Sequence, residues 1–198
     1  MIRAIELHSA EAFVRVRDSS RAAVLHALDL GRGASSSPTC SRWKKPAVWW
    51  NTRNITLWER ADSPFSRSAE YGFLPELKQI GDYFTATNQR TILMPQCETA
   101  GALEHIEEIA ALDGIDGIFV GPYDLSVALG APAQFATPRF AEALSRVIAA
   151  CRASGKLAFI YANTMPEARA YFAQGYQGAA IGTDTAFLVK AIQGMLQA

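Results

Sequence analysis

The second half of the chain alternates short apolar runs with stretches of helical periodicity. The apolar runs are typical of buried strands and cover residues 91–97, 117–121, 157–161 and 178–182. Apolar positions recur at helical spacing over residues 101–112, 137–154, 164–173 and 185–198. Short apolar strands that alternate with helices predict βαβ units and therefore a parallel sheet.

The first 31 residues carry one weaker unit of the same kind. Residues 13–16 predict a strand, and residues 22–30 predict a helix that ends at Gly31. Right-handed units of this type build either an open doubly wound sheet or a closed barrel. The chain has no G-x-G-x-x-G turn and no G-x-x-x-x-G-K-[ST] loop, which disfavours the nucleotide-binding versions of the open sheet.

Residues 33–67 differ from both flanks. This stretch contains a serine run followed by proline, and Trp43, Trp49 and Trp50 lie close together within it. Neither a helical nor a strand period runs through it. We therefore expect an irregular insertion with exposed aromatic side chains.

Composition and charge exclude several classes of protein. The chain has 198 residues, with 19 Lys and Arg against 19 Asp and Glu, so its formal net charge is zero and a nucleic-acid partner is not expected. Hydrophobic residues make up 49% and charged residues 19%, which is enough apolar material for a core. The sequence shows no apolar run long enough for a membrane helix and no secretory signal, so a membrane partner is not expected. Cys40, Cys97 and Cys151 lack metal-binding spacing and are interpreted as reduced thiols in a cytoplasmic protein.

The candidate chemistry lies at the carboxyl ends of the predicted strands, where parallel α/β proteins carry their active sites. Glu98 and Asp124 are 26 residues apart, which is one βα unit and places both carboxylates at the same rim. Two carboxylates with room for waters suit Mg²⁺, Mn²⁺ or Co²⁺, and an adjacent Arg15 can bind a substrate carboxylate. From the residues alone, an alternative stays open in which the acids cap helices and the arginine is an ordinary surface residue.

Three motifs resemble one enzyme family. The letters PQCET at residues 95–99 and GPYDLS at residues 121–126 resemble the Q-I-E-T and G-P-x-D-L-S motifs of the HpcH/HpaI class II pyruvate aldolases, which include 4-hydroxy-2-oxoheptanedioate and 2-keto-3-deoxy sugar-acid aldolases. GTDT at residues 182–185 resembles the G-x-D-T motif of that family. The similarity runs from about residue 68 to residue 198, with the motifs in the family's order. Residues 13–16 and 28–31 more weakly resemble its V-R-V-P strand and L-D-x-G turn.

The resemblance implies a (β/α)₈ TIM barrel that assembles into homo-oligomers and carries a divalent metal. Glu98 and Asp124 would be the metal ligands, Arg15 and Gln96 would contact the pyruvate moiety, and Arg15 would also stabilise developing negative charge. The implied reaction is the reversible aldol cleavage of a 4-hydroxy-2-oxo acid to pyruvate and an aldehyde.

Further residues are implied by the same resemblance. Backbone amides around Gly121 and Pro122 would hold the pyruvate carboxylate. Asp29 matches the aspartate of the His–Asp dyad that handles the proton at the aldehyde oxygen in the family.

The chain also departs from the family pattern. The D-x-E-H-x-P motif that carries the dyad histidine is absent, and His8, His26 and His105 lie in other contexts. The sequence starts where the third strand of the family begins, so we expect one incomplete barrel over residues 1–198, without its first two βα units. A complete barrel of this type usually needs about 250 residues.

The irregular residues 33–67 take the place of the family's fourth strand and helix. Residues 35–40 can be encoded so that the bases, read one position earlier, give Ile-Ile-Pro-Asn-Val, which is the family pattern. One hypothesis is therefore that this stretch is translated in a shifted frame, and genuine divergence is the competing one.

Two other functions remain open at this stage. The chain can be a catalytically impaired aldolase remnant that binds metal and 2-oxo acid, or that only associates with other subunits. An unrelated metal-dependent lyase or hydrolase would need a different general base, for which the sequence offers no clear candidate.

Overall fold

The computed structural model describes residues 2–18, 20, 23, 26–27, 35–37, 73 and 91–197. Its strands are β1 (Val14–Arg15), β2 (Ser35–Ser37), β3 (Leu93–Cys97), β4 (Gly117–Val120), β5 (Leu157–Ala162) and β6 (Gly178–Ile181). Its helices are α1 (Ile2–Glu6), α2 (Ala100–Glu104), α3 (Ile106–Ala110), α4 (Pro122–Ala128), α5 (Pro138–Ala153), α6 (Met165–Gln174) and α7 (Asp184–Leu196).

Within these ranges the strands form one parallel sheet in chain order, from β1 to β6. Strands β4 and β5 pair from Gly117 opposite Leu157 to Val120 opposite Ile160. All strands point the same way, so their carboxyl ends share one rim. The α/β class and the parallel sheet predicted from the sequence are confirmed.

Threonine caps begin the three longest helices. The side-chain oxygens of Thr137, Thr164 and Thr183 each accept an N–H bond from the residue three positions later, at the starts of α5, α6 and α7. Pro138 follows Thr137, and its ring fixes a backbone angle that suits the first turn. The predicted helix starts therefore have a local cause in the sequence.

The core lies between the sheet and the helices that pack on it. Every residue of β3 is buried, and the apolar stripe predicted on α5 is buried as well. Helices α3 and α5 are joined by a two-pronged ion pair, in which Nε and Nη2 of Arg146 each lie 2.7 Å from a carboxylate oxygen of Glu107. The Arg146 hydrogen bonds hold the pKa of Glu107 below its usual range.

Two elements differ from the sequence prediction. The single helix predicted over residues 101–112 is split into α2 and α3 at His105, whose backbone (φ −106°, ψ 24°) leaves the helical region. Helix α4 is not predicted from the sequence, because residues 121–126 are interpreted there only as a loop after the strand. Its first residue is Pro122, directly after the extended Gly121.

Part of the stretch predicted to be irregular belongs to the sheet. Ser35–Ser37 forms β2, which pairs in parallel with β1 on one side and β3 on the other. Strand pairing uses backbone groups and needs no particular side-chain pattern, which explains how a serine run occupies this place. The rest of residues 33–67 lies outside the described residues. Residues 23 and 26–27 of the helix predicted over 22–30 are helical.

The last helix is unusual in its exposure. Helix α7 buries none of its residues, and Phe187, Leu188, Ile192 and Met195 are largely exposed. Among the helices of the described segments, none has the length and hydropathy needed to cross a membrane.

Candidate functional site

A cavity of about 420 Å³ opens at the carboxyl ends of the strands. It is lined by Phe13, Arg15, Gln96, Glu98, Phe119, Gly121, Pro122, Tyr123, Asp124, Tyr161, Ala180 and Thr183. The structure therefore brings together all the site residues that the sequence predicted except Asp29, which lies outside the described residues.

Both edges of the sheet contribute to this cavity. Phe13 and Arg15 come from the β1 side, and Ala180 and Thr183 come from the β6 side, although these strands lie at opposite ends of the strand order. A flat sheet would keep its edge strands far apart, so the sheet must curl around the cavity. This curvature is that of a barrel wall.

Glu98 is the buried carboxylate of the site. It follows β3 directly and its side chain is 6% exposed, while Nη2 of Arg15 lies 3.9 Å from its Oε1 atom. Arg15 is 62% exposed, and an ion pair with such an exposed partner contributes little stability. The guanidinium can therefore turn toward a bound anion at small cost.

Gly121 gives the Glu98 carboxylate its space. A Cβ atom at position 121 would lie 2.8 Å from Oε2 of Glu98, which is too close for any other residue without displacement of the carboxylate. The motif glycine therefore has a packing role at this site in addition to its place before α4.

The sequence predicts that backbone amides around Gly121 and Pro122 hold a carboxylate, and the structure shows which of these amides are already hydrogen-bonded. The Gly121 N–H already donates to the carbonyl of Cys97 at 3.3 Å, and Pro122 has no N–H. The next two amides, of Tyr123 and Asp124, lie in the first turn of α4 and have no partner within the helix. Around Gly121 and Pro122, the N–H groups that could donate to a bound carboxylate are therefore those of Tyr123 and Asp124.

Gln96 presents a buried polar atom to the site. Its side chain is 6% exposed, and its Oε1 atom has no hydrogen-bond partner among the described residues. A buried polar atom without a partner costs about 1–3 kcal/mol, so such atoms are uncommon unless a bound group satisfies them. Gln96 also lines the cavity, which makes a ligand of the cavity the natural partner.

The donor set suits a hard divalent cation. Asp124 lies in the first turn of α4 and is exposed to the cavity, and Glu98 and Gln96 add further oxygen atoms. Over the described part of the chain, no three or more His, Cys, Asp or Glu side chains are grouped in a way that could hold a metal. Two carboxylates fit a cation that keeps open positions for water or substrate, as Mg²⁺ does.

Several lining residues were missed by sequence reasoning. Tyr123 occupies the variable position of the G-P-x-D-L-S motif, and Tyr161 lies near the carboxyl end of β5. Position at the rim was the available signal for both, but the motif gives Tyr123 no role and Tyr161 lies within the predicted strand. His8, His26 and His105 do not line the cavity.

Comparison with known proteins gives consistent matches. A family model described as HpcH/HpaI aldolase/citrate lyase matches residues 2–191. The 2-keto-3-deoxy-L-rhamnonate aldolase of Salmonella gallinarum is 29% identical over 197 residues, covering 98% of this chain and 72% of that protein. The same enzyme of Salmonella schwarzengrund is 30% identical over 201 residues with the same coverage.

Solved structures match over almost the whole chain. An HpcH/HpaI aldolase/citrate lyase family protein from Burkholderia cenocepacia J2315 superposes with a TM-score of 0.83 at 28% identity, covering 98% of this chain and 76% of that one. An HpcH/HpaI aldolase from Desulfitobacterium hafniense DCB-2 has the same TM-score at 21% identity, covering 99% of this chain and 74% of that one, and supports the fold alone. The chain is thus shorter than these relatives.

Proposed function

Because the chain belongs to the HpcH/HpaI aldolase/citrate lyase family, we propose that it cleaves a 4-hydroxy-2-oxo acid reversibly into pyruvate and an aldehyde, in a metal-dependent reaction. Family membership suggests aldol chemistry that yields pyruvate. The observation that carries the proposal is a cavity that Arg15, Gln96, Glu98 and Asp124 line together.

The family typically uses a divalent metal, and Glu98 and Asp124 are the residues that would hold it here. When bound, a divalent cation such as Mg²⁺, Mn²⁺ or Co²⁺ polarises the 2-oxo group of the substrate as a Lewis acid. Glu98 is suited to this task because it is buried and because the missing side chain at Gly121 leaves room for its carboxylate at the cavity wall.

The other residues bind and orient the pyruvate moiety. Arg15 brings positive charge to the side of the cavity where the 2-oxo oxygen gains negative charge. The Nε2 group of Gln96 can donate to an oxygen of pyruvate, whereas its buried Oε1 atom only accepts and can bind the cation or a water held by it. The first-turn amides of Tyr123 and Asp124 donate to the substrate carboxylate, which fixes the reacting carbons relative to Arg15.

A second candidate function is binding with little turnover. No histidine lines the cavity within the described residues, and the family motif that supplies the dyad histidine is absent. Without that proton donor and acceptor, a chain of this kind keeps its ligands for cation and 2-oxo acid but loses much of its rate.

We also propose that the chain associates with further copies of itself. The exposed apolar side chains on α7 form a surface of the kind that marks protein interfaces. Light scattering coupled to gel filtration tests this, with Met195→Glu as the disrupting variant. A monomer in the unmodified chain would contradict the proposal.

Calorimetric titration of pyruvate, with and without Mg²⁺ or Mn²⁺, tests the site directly. We expect binding that requires the cation and that is lost in both Glu98→Ala and Asp124→Ala, while Glu142→Gln, an exposed change on α5, leaves it intact. Binding that survives chelation and both substitutions would overturn the metal assignment. Assays of 4-hydroxy-2-oxo acid cleavage then separate the candidates, because binding without cleavage favours the second.

A further inference from the structure

Two contacts orient Tyr123 at the cavity wall. Its hydroxyl oxygen lies 3.1 Å from Nδ2 of Asn163, and its ring meets that of Phe135 edge to face, with centroids 5.0 Å apart and planes at 86°. The side chain is 44% exposed and lines the cavity. Contacts with Asn163 and Phe135 therefore orient both the hydroxyl and the ring of this tyrosine in the absence of a ligand.

Asn163 is itself oriented by Glu167. The Oε2 atom of Glu167 accepts from the backbone N–H of Asn163 at 2.9 Å and from its Nδ2 at 3.2 Å. The Glu167 Oε1 atom accepts from the Tyr171 hydroxyl at 3.4 Å. A carboxylate only accepts hydrogen bonds, so the amide nitrogen of Asn163 must face it, and the second N–H of that amide points to Tyr123.

This arrangement decides the direction of the Tyr123 hydroxyl. The oxygen of Tyr123 accepts a bond from Asn163, so its own hydrogen is available to donate to another acceptor. Asn163 follows β5, whereas Gln96 and Glu98 belong to the end of β3, with β4 between them. The hydroxyl therefore leans toward the β5 side of the cavity, away from the side chains of Gln96 and Glu98.

We propose that Tyr123 donates a hydrogen bond to an oxygen on the aldehyde-derived part of the substrate, and that Asn163 and Glu167 are its positioning residues. The inference rests on the proposed function and adds a residue that recognises an oxygen beyond the pyruvate unit. A cavity of about 420 Å³ has room for such a chain, since sites of this size hold ligands much larger than pyruvate.

Three ligands test the proposal by calorimetry in the presence of Mg²⁺: pyruvate, 2-oxohexanoate, and a 2-keto-3-deoxy six-carbon sugar acid. Tyr123→Phe removes only the hydroxyl. We expect the Kd of the sugar acid to rise about fivefold, the effect of one neutral hydrogen bond. The Kd values of pyruvate and 2-oxohexanoate should stay unchanged, because neither carries an oxygen at that end.

A double-mutant cycle separates positioning from structural damage. Asn163→Ala should weaken sugar-acid binding in the unmodified chain and have no further effect in Tyr123→Phe, because its influence passes through that hydroxyl. Tyr176→Phe is the matched control, since it removes a buried tyrosine hydroxyl that does not line the cavity.

The outcomes are distinct. Equal losses for all three ligands, or no loss for the sugar acid in Tyr123→Phe, would overturn the role of Tyr123 and leave the proposed function standing. Absence of cation-dependent pyruvate binding in the unmodified chain would overturn both.

Discussion

Gly121 and Glu98 are coupled across the site: a Cβ atom on the glycine would lie 2.8 Å from Oε2 and 3.2 Å from Cβ of the glutamate. The glycine has ordinary extended backbone angles (φ −94°, ψ 94°), so an alanine methyl group here would be crowded by Glu98 and not strained by its own conformation. This contact links a motif position to the geometry of the proposed metal ligand.

Gly121→Ala should therefore impair binding more than folding. The nearest atom is the end of a flexible side chain, so Glu98 can shift, but its carboxylate then leaves its place in the cavity. We expect cation affinity to fall about tenfold, which corresponds to about 1.4 kcal/mol, with a small change in the free energy of unfolding. Titration of Mn²⁺ followed by its paramagnetic effect on water relaxation measures the affinity.

Gly101→Ala is the control for that variant. Gly101 lies in α2 with no atom within 4 Å of the added methyl group, and alanine in a helix is about 0.5–1 kcal/mol more favourable than glycine. Unchanged Mn²⁺ affinity with slightly higher stability is expected. Equal Mn²⁺ affinity in Gly121→Ala and Gly101→Ala would refute the coupling between Gly121 and Glu98.

Gln96→Leu should separate stability from binding. The buried Oε1 atom has no partner among the described residues, so its replacement by an apolar group of similar size removes a cost. We expect the free energy of unfolding to stay the same or rise by about 1 kcal/mol, while pyruvate affinity falls. Urea denaturation and calorimetry measure the two quantities. A large loss of stability would mean that the amide is satisfied within the protein.

Alkaline pH should destabilise the fold because it deprotonates a thiol and a phenol that are buried in the core. Burial raises the pKa of the Cys151 thiol from 9.0 to about 11, and burial together with Glu167 raises that of Tyr171 to about 12. A group whose pKa is raised by folding holds its proton more tightly in the folded state. The contribution of the Cys151 thiol to the free energy of unfolding is therefore complete below pH 9 and is lost as the pH rises toward 11.

Urea denaturation at about pH 8, 9.5 and 10.5 measures this loss of stability, because these values run from below the ordinary pKa of a thiol toward the raised pKa of Cys151. Cys151→Ala should be less stable at pH 8 but should lose less stability on the way to pH 10.5. Val147→Ala changes the same buried face of α5 without removing a titratable group. Its free energy of unfolding should therefore fall with pH as steeply as that of the unmodified chain. Identical slopes in all three proteins would contradict the assignment to Cys151.

The coding DNA tests the hypothesis for residues 33–67. If two compensating frame shifts bound this stretch, the alternative frame will encode a strand followed by an amphipathic helix. An alternative frame without that pattern leaves divergence as the explanation. Ser35–Ser37 lies in the sheet in either case, because it pairs through its backbone with β1 and β3.

Much of the fold and of the candidate site was predictable because its causes are local. The strands from β3 to β6 follow from apolar runs, and α5, α6 and α7 follow from helical periodicity and threonine caps. The rim position of Glu98 and Asp124 follows from the length of one βα unit. The break at His105 and the helix α4 were missed, since neither leaves a periodic pattern long enough to recognise.

The sequence by itself determined the parallel α/β class, the rim that carries the polar residues, and the family to which the motifs point, because each of these depends on spacing along the chain. Tertiary structure alone decided that Arg15 of β1 meets Glu98 beyond β3, that Gly121 makes room for that carboxylate, and that Tyr123 is held by Asn163. The physical reason is that these contacts join residues on different elements, and their distances depend on how the sheet curls and packs.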